Sequence, residues 1–230
     1  MREVVMDTET TGLDPNTGDR IVEIGGVELF NHMPTGETYH QYINPQRDMP
    51  DGAFAVHGLS AEFLSDKPLF PDIAQAFLDF VGDSKLVIHN ASFDMKFINA
   101  ELKWIERPAL PWGQAVDTLA IARKKFPGAQ NSLDALCRRF GIRTERELHG
   151  ALLDSEILAE VYLELIGGRQ PDFVLSVVSN EVGVGNNEAV NWAPPQRSQP
   201  LPPRISEAEI EAHKAFVEKL GEDAVWKKFK

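Results

Sequence analysis

The stretch VVMDTETTGL, residues 4–13, decides the fold of this chain because an apolar strand pattern ends there in acidic residues. Two valines and a methionine form the apolar run, and Asp7 and Glu9 follow two positions apart. Strand side chains alternate between faces, so both carboxylates point the same way, a few ångströms from each other. We therefore predict a central strand whose end carries two like charges.

The composition predicts one ordinary domain with further residues beyond it. The chain has 230 residues, of which 43% are hydrophobic, and no apolar run long enough to span a membrane. The N-terminal MREVVMD lacks the pattern of a signal peptide, so we expect a soluble, cytoplasmic protein. Cys137 is the single cysteine and lies in an apolar helical pattern, which predicts a core position rather than a disulfide or a thiolate metal site.

The charge distribution argues against binding nucleic acid by electrostatics alone. The formal net charge is −12, and residues 1–166 hold 15 Lys and Arg against 26 Asp and Glu. Neutralisation of phosphates by basic side chains supplies most of the affinity of proteins that bind nucleic acid independently. Autonomous nucleic-acid binding is therefore disfavoured.

The periodicity predicts an α/β domain over residues 1–168 with an antiparallel meander at one end. Strand patterns occupy residues 2–6, 20–30, 37–43 and 85–89. Helical patterns occupy FPDIAQAFLDFV, SFDMKFINAELKWI, DTLAIARKKF, SLDALCRRF and ALLDSEILAEVYLELI. Two glycines end the last of these helices.

The chain changes character after residue 168. Residues 169–205 are rich in proline and asparagine and lack a period of 2 or 3.6, which predicts a flexible linker. Residues 206–230 begin with a capping box of Ser206 and Glu209 and predict an amphipathic helical segment. We expect this segment to dock on another protein, with packing on its own domain as the alternative.

Two later helices also direct acids toward the core. Asp94 shares a helix face with Phe97 and Ile98, and Asp154 lies in the middle of the apolar stripe of the last domain helix. A buried, unpaired carboxylate costs several kcal/mol or shifts its pKa, and no Lys or Arg occupies a matching inward position in these segments. The four acids, Asp7, Glu9, Asp94 and Asp154, are therefore expected to need positive charge between them.

Divalent cations are the simplest source of that charge. Ligation by carboxylates without cysteine favours Mg²⁺ or Mn²⁺ over structural zinc. Four acids could hold two such ions for phosphodiester cleavage, one ion activating water and the other stabilising the leaving oxygen. Any single acid is more often a solvated surface residue, so it is the joint pattern that favours a metal site.

Three segments, DTETTG, HNASFDMKF and HGALLDSEILAEVYL, resemble the signature segments of the DEDDh 3′→5′ exonucleases in order and spacing. The resemblance continues through VHGLS, DTLAIAR and NSLDALCRRFGI, covers about residues 1–168, and is greatest for the proofreading subunits of bacterial replicative polymerases. It implies an RNase H-like exonuclease fold, a mixed central sheet flanked by helices, here with a flexible C-terminal extension.

The resemblance also implies the chemistry and its residues. Asp7, Glu9, Asp94 and Asp154 would hold two cations, Mg²⁺ or Mn²⁺, and His149 would be the general base, since an imidazole can accept a proton near neutral pH. The reaction would release nucleoside 5′-monophosphates from a DNA 3′ end. The residues expected to contact the terminal nucleotide are Asp7, Thr8, Glu9, His57, Asn90 and Asp154; a solvated loop position is the alternative for His57.

The C-terminal segments predict partners. The resemblance implies that residues 206–230 bind the catalytic (alpha) subunit of the polymerase, with Phe216, Trp226 and Phe229 as anchors. The peptide QPDFVL, residues 170–175, resembles the peptides that bind the sliding clamp, through Gln170, Phe173 and Leu175. Pro171 and the missing second aromatic depart from that pattern, so packing of Phe173 on its own domain stays open.

The sequence leaves two other functions open. A DEDDh exoribonuclease would use the same site and differ in its contacts to the 2′-hydroxyl. A scaffold that joins polymerase and clamp would have lost catalysis. The linker and the distal helix favour the polymerase subunit over a free-standing exoribonuclease, and the five filled positions of the site argue against the scaffold.

Overall fold

The structure is a computed structural model and describes residues 1–144, 148–167 and 205–221. The chain divides into two units, Met1–Leu175 and Ser176–Lys230. The predicted domain limits at residues 168 and 205 stay predictions, and nearly all of the predicted linker lies outside the described residues. Within the described ranges, every helix falls short of the length or apolar character needed to cross a membrane.

A five-stranded mixed sheet forms the centre of the first unit. Its strands are β1 (Arg2–Thr10), β2 (Ile21–Phe30), β3 (Met33–Tyr42), β4 (Lys85–Ile88) and β5 (Ala115–Asp117), arranged in the order β3-β2-β1-β4-β5. The first three strands are antiparallel neighbours, whereas β4 runs parallel to both β1 and β5. The predicted α/β class and its meander are confirmed. Strand β5 was not predicted because three residues carry too little pattern.

The helices of the first unit are α1 (Asp51–His57), α2 (Ala61–Leu64), α3 (Phe70–Val81), α4 (Ala91–Trp104), α5 (Thr118–Lys125), α6 (Leu133–Phe140) and α7 (Ala151–Leu165). Helix α8 (Glu207–Lys219) belongs to the second unit. The six helices predicted from periodicity are all present. Helices α1 and α2 were missed because they are shorter than the window over which a helical period can be recognised.

Strand β1 is longer than predicted and includes the acidic residues. It was expected to end at residue 6 but continues to Thr10, because the alternating threonines suit a paired strand. Asp7 pairs with Gly25 of β2, and Glu9 pairs with Glu23. The two acids are therefore fixed by the sheet itself rather than by a loop that follows it.

The two faces of β1 contact different helices. Val4 and Met6 belong to a core cluster with α3 and α4, whereas Val5 packs in a second cluster with Leu158 of α7. Because side chains alternate, Asp7 and Glu9 lie on the same face as Val5. The strand thus directs Asp7 and Glu9 toward α7, and Val4 and Met6 toward α3 and α4.

An ion pair fixes α4 to the beginning of β2. Glu101 of α4 is buried and accepts hydrogen bonds from Arg20 Nε at 2.8 Å and Nη2 at 2.7 Å. The Arg20 guanidinium also lies over the Trp104 ring, 4.8 Å from its centroid. A bidentate pair of this kind holds both groups in one geometry, so it sets the position of α4 along the sheet.

Candidate active site

Gly25 brings α7 against the sheet. A β-carbon at this position would lie 2.2 Å from the backbone of Ala151, so the helix reaches β2 only because Gly25 has no side chain. The Ser155 hydroxyl lies 3.1 Å from the Gly25 carbonyl oxygen and 2.7 Å from that of Ala151. Since Gly25 pairs with Asp7, this contact places the first turn of α7, with Asp154, beside the end of β1.

Asp154 is buried and in contact with His149. Its Oδ2 atom lies 2.9 Å from Nδ1 of His149, whose side chain is 45% exposed. The His149 backbone N–H donates a hydrogen bond to the Val56 carbonyl oxygen at 3.1 Å, near the end of α1. The imidazole is thus held at the cleft by its backbone while its ring remains accessible to solvent.

The glycine after His149 adds no special backbone freedom to the site. Gly150 has a φ of −155° and a ψ of 128°, extended values that any residue adopts. The local anchoring therefore comes from the contact with Val56 rather than from glycine freedom.

Asp94 enters the site from the other face of the sheet. Asn90 adopts a left-handed conformation, with φ 66°, and α4 begins immediately after it. The Thr8 hydroxyl donates a hydrogen bond to Asp94 Oδ1 at 2.7 Å. Burial raises the pKa of the Asp94 carboxyl to about 7, although the hydrogen bond from Thr8 opposes this shift. An ionised Asp94 is therefore costly unless positive charge is nearby.

One cleft of about 800 Å³ brings the predicted catalytic residues together. Its lining includes all five of them: Asp7, Glu9, Asp94, His149 and Asp154. Glu9, His149 and Asp154 each offer a ligand atom within 4.8 Å of the others. Carboxylate oxygens from three elements, with no thiolate among them, are the donor set of hard divalent cations, so the residues fit Mg²⁺ or Mn²⁺.

The predicted substrate contacts fall in two places. Thr8 and Asn90 line the cleft, as do Asp7, Glu9 and Asp154. His57 lines an adjoining groove of about 450 Å³, which shares Thr8 and Glu9 with the cleft. The expectation that His57 lies in a loop is wrong: it is the last residue of α1, and its Nδ1 accepts a hydrogen bond from the Leu59 N–H at 3.0 Å. Burial lowers the pKa of this imidazole.

The predicted partner contacts are mostly beyond the described part of the chain. Phe216 lies on α8 and is 56% exposed. Gln170, Phe173, Leu175, Trp226 and Phe229 lie outside the described residues, so their roles stay predictions.

Four polar cleft residues that sequence reasoning did not find come from α5, from α6 and from the segment between these helices. Arg123 comes from α5, Asn131 and Ser132 precede α6, and Asp134 lies in its first turn. Arg123 belongs to a run of three basic residues that is typical of a solvated helix end, and Ser132 has the pattern of an N-cap. Only the packing of α5 and α6 beside the sheet reveals that they face the acids.

Comparison with known proteins defines the class of enzyme to which this fold belongs. A family model described as Exonuclease matches residues 4–162, a range that contains every acid of the cleft and His149. A solved structure of Exonuclease X in complex with 5′ overhanging duplex DNA is 28% identical, with a TM-score of 0.57 over 71% of this chain and 90% of that chain. The nuclease domain of 3′hExo, a DEDDh family member bound to rAMP, has a TM-score of 0.63 over 72% and 91% at 19% identity, which supports the fold alone. The fold is that of a DEDDh exonuclease.

A relative that matches nearly the whole chain identifies the group within this family to which the chain belongs. The DNA polymerase III subunit epsilon of Rickettsia felis is 49% identical over 224 residues, which are 96% of this chain and 97% of that protein. The chain therefore belongs to the exonuclease family and, within it, to the epsilon subunits of DNA polymerase III.

Proposed function

We propose that this protein is the proofreading 3′→5′ exonuclease subunit of a bacterial replicative DNA polymerase, acting in the cytoplasm at the replisome. It hydrolyses the terminal phosphodiester of a DNA 3′ end and releases a nucleoside 5′-monophosphate. The observation that carries the proposal is the single cleft in which β1, α4 and α7 gather four carboxylates beside His149.

The acids hold the cofactors in this proposal. Asp7, Glu9, Asp94 and Asp154 would bind two divalent cations, Mg²⁺ or Mn²⁺. When bound, such cations activate water and stabilise the charge that develops on the phosphate and on the leaving oxygen. Thr8 keeps the Asp94 carboxylate oriented through its hydroxyl, at 2.7 Å, and the sheet fixes Asp7 relative to Glu9.

His149 accepts the proton of the attacking water. Its Nδ1 faces Asp154 Oδ2 at 2.9 Å. With the Nδ1–H donated to this carboxylate, Nε2 carries the lone pair and is the atom that takes the proton. A side chain that is 45% exposed can approach the substrate after the DNA end has entered. The imidazolium that forms is stabilised by the neighbouring carboxylate.

In this proposal, mismatched 3′ ends are removed preferentially because they enter the cleft more easily, and not because side chains recognise their bases. An unpaired 3′ end reaches the cleft as a single strand at lower cost than a paired one, which must first fray. The acidic domain contributes little general attraction for DNA, so delivery of the primer end by a bound polymerase raises its effective concentration.

The C-terminal helix is proposed to dock on the catalytic (alpha) subunit of the polymerase. Helix α8 has no buried residue, and Ile210 and Phe216 in it, with Leu220 directly after it, are exposed large apolar side chains. An amphipathic helix with such anchors suits a hydrophobic groove on a partner. Binding of the sliding clamp through residues 170–175 is proposed from the sequence pattern.

The docking proposal is tested by co-purification of the full chain with the polymerase catalytic subunit. Phe216→Ala should weaken the complex and leave exonuclease activity unchanged, whereas Lys214→Ala on the same exposed helix should leave both unchanged. Equal binding by wild type and Phe216→Ala would remove this anchor from the proposal.

The exonuclease proposal is tested by nucleotide release from a 3′-labelled single-stranded DNA and from its RNA counterpart, with Mg²⁺ or with EDTA. Wild type should digest DNA in the 3′→5′ direction only with the cation and act far more weakly on RNA. Asp7→Ala should be inactive, and Asp83→Ala, which alters an exposed acid just before β4, should match wild type. Preference for RNA would indicate an exoribonuclease, and digestion that persists in EDTA would contradict the proposed mechanism.

A further inference from the structure

Arg123 is the cationic side chain of the cleft. Among the described residues that line it, Arg123 is the only Lys or Arg, whereas five carboxylates line the same space. The Arg123 side chain is exposed, and no side-chain hydrogen bond or ion pair joins it to the described part of the chain. An exposed guanidinium beside a site for a polyanion is well suited to pair with a phosphate.

Two nearby cations, Lys125 and Arg139, have structural roles instead. Lys125, two residues further along α5, donates hydrogen bonds to the carbonyl oxygens of Glu164 and Leu165, each at 3.0 Å. Arg139 of α6 lies over the Phe126 ring, 4.4 Å from its centroid. These side chains satisfy backbone groups or cover apolar surface, so Arg123 differs from them in facing the cleft.

The sheet separates the element that carries Arg123 from the strand that carries the first two acids. Asp7 and Glu9 lie at the end of β1, and α5 follows directly after β5, which is the second strand from β1 on that side. Adjacent strands are about 4.8 Å apart, so the backbones of β1 and β5 are roughly 10 Å from each other, with β4 between them. His89, at the end of β4 between them, has a pKa that burial lowers, and the charge of Arg123 lowers it further.

We propose that Arg123 binds a backbone phosphate of the DNA strand on the 5′ side of the scissile bond. This inference rests on the proposed exonuclease function and identifies how the chain itself grips the strand. The acids and their cations act on the terminal phosphodiester, while Arg123 holds the next part of the strand and so keeps the 3′ end in the cleft. Arginine suits this task because its planar guanidinium can donate two parallel hydrogen bonds to one phosphate.

The test compares a substrate that has neighbouring phosphates with one that has none. The first is a 3′-labelled single-stranded oligodeoxynucleotide, and the second is the p-nitrophenyl ester of thymidine 5′-monophosphate, which contains only the scissile phosphodiester. Full-length wild type, Arg123→Gln, Arg123→Lys and Lys124→Gln are measured on both. Lys124 is the matched control because it is exposed on the same helix turn but does not line the cleft.

Arg123→Gln should raise KM for the oligonucleotide roughly tenfold or more, with kcat little changed and hydrolysis of the ester unchanged. The slope of log(kcat/KM) against log salt concentration should become shallower by about 0.7, the value for one phosphate contact with a single strand. Arg123→Lys should retain the salt slope because the charge is kept, and Lys124→Gln should behave as wild type.

Three results would overturn the inference. The first is an oligonucleotide KM and salt slope that Arg123→Gln leaves unchanged. The second is an equal loss on both substrates, which would mean that Arg123 acts at the scissile phosphate or on the acids. The third is an equal effect of Lys124→Gln. If wild type hydrolyses neither substrate, the proposed function itself fails, so the two failures are distinguishable.

Discussion

Helix α4 buries two carboxylates about two turns apart, and their surroundings are opposite. Glu101 is 1% exposed and accepts two hydrogen bonds from its own cation, Arg20. Asp94 is 2% exposed, is held by the neutral Thr8 hydroxyl, and shares a cleft with Asp7, Glu9 and Asp154. A buried acid that has a dedicated cation in the chain stabilises the fold. A buried acid grouped with other acids depends on cations from solution to balance its charge. This dependence distinguishes the acids of the functional site from the structural acid.

The largest expected effect is that of Asp94→Asn on activity. Loss of one metal ligand should lower DNA hydrolysis by on the order of 1000-fold, since cation stabilisation of the transition state is worth several kcal/mol. In EDTA, however, the free energy of unfolding should be equal to or higher than that of wild type. Asparagine can still accept the hydrogen bond from Thr8, and one like charge has been removed.

Urea unfolding in EDTA and in saturating Mn²⁺ measures this contrast. Wild type should gain more stability from Mn²⁺ than the variant does, because the ion binds only the folded site. A variant that is active but clearly less stable in EDTA would place Asp94 with the structural acids.

The second effect is the stability loss from Arg20→Met. It leaves Glu101 as a buried charge without its partner, which should cost about 3 to 5 kcal/mol of unfolding free energy. Activity per folded molecule should be unchanged, since neither residue lines the cleft. Arg47→Met is the matched control, because its pair with Asp19 is more exposed and should be worth about 1 kcal/mol or less. Urea unfolding measures the loss of unfolding free energy in both variants. Equal losses would contradict the claim that the buried pair stabilises the fold more than the exposed pair does.

The third and smallest effect on stability comes from Gly25→Ala, compared with Gly26→Ala. The new methyl group at Gly25 meets the α7 backbone at 2.2 Å, so the helix must shift, at a cost of about 1 to 3 kcal/mol. Activity should also fall, because Asp154 moves away from Asp7. At Gly26 the nearest atom is Cε1 of the Phe80 ring, at 3.1 Å, and the ring can yield. Nuclease assays on both folded variants measure this difference in activity. An active Gly25→Ala would contradict the role assigned to the contact between Gly25 and α7.

Periodicity was sufficient to find the inward acids of the two helices. Asp94 and Asp154 stand in apolar stripes that a helical period makes visible, and both are buried as predicted. Strand alternation placed Asp7 and Glu9 on one face at the end of β1, but the apolar strand pattern ends at residue 6, because only pairing with β2 extends the strand beyond its apolar residues. Local pattern therefore indicated which acids belong to the site but not how far the strand that carries two of them extends.

Features that depend on packing between distant segments could not be predicted. Gly25 reads as an ordinary strand glycine until α7 is seen against it, and Arg123 reads as one of three exposed cations until the cleft is formed. The position of His57 was wrong because α1 has only seven residues. For Gly25 and Arg123 the deciding contact joins segments far apart in sequence, which no window of residues contains.

Counting the Mn²⁺ ions bound per chain tests most directly whether the four carboxylates of the cleft form a site for two divalent cations. Calorimetric titration of the metal-free protein in the presence of thymidine 5′-monophosphate should give two ions per chain. Asp7→Asn should lose at least one of them, while Asp83→Asn should keep both. Absence of saturable binding, or the same number of ions bound by wild type and Asp7→Asn, would contradict the account.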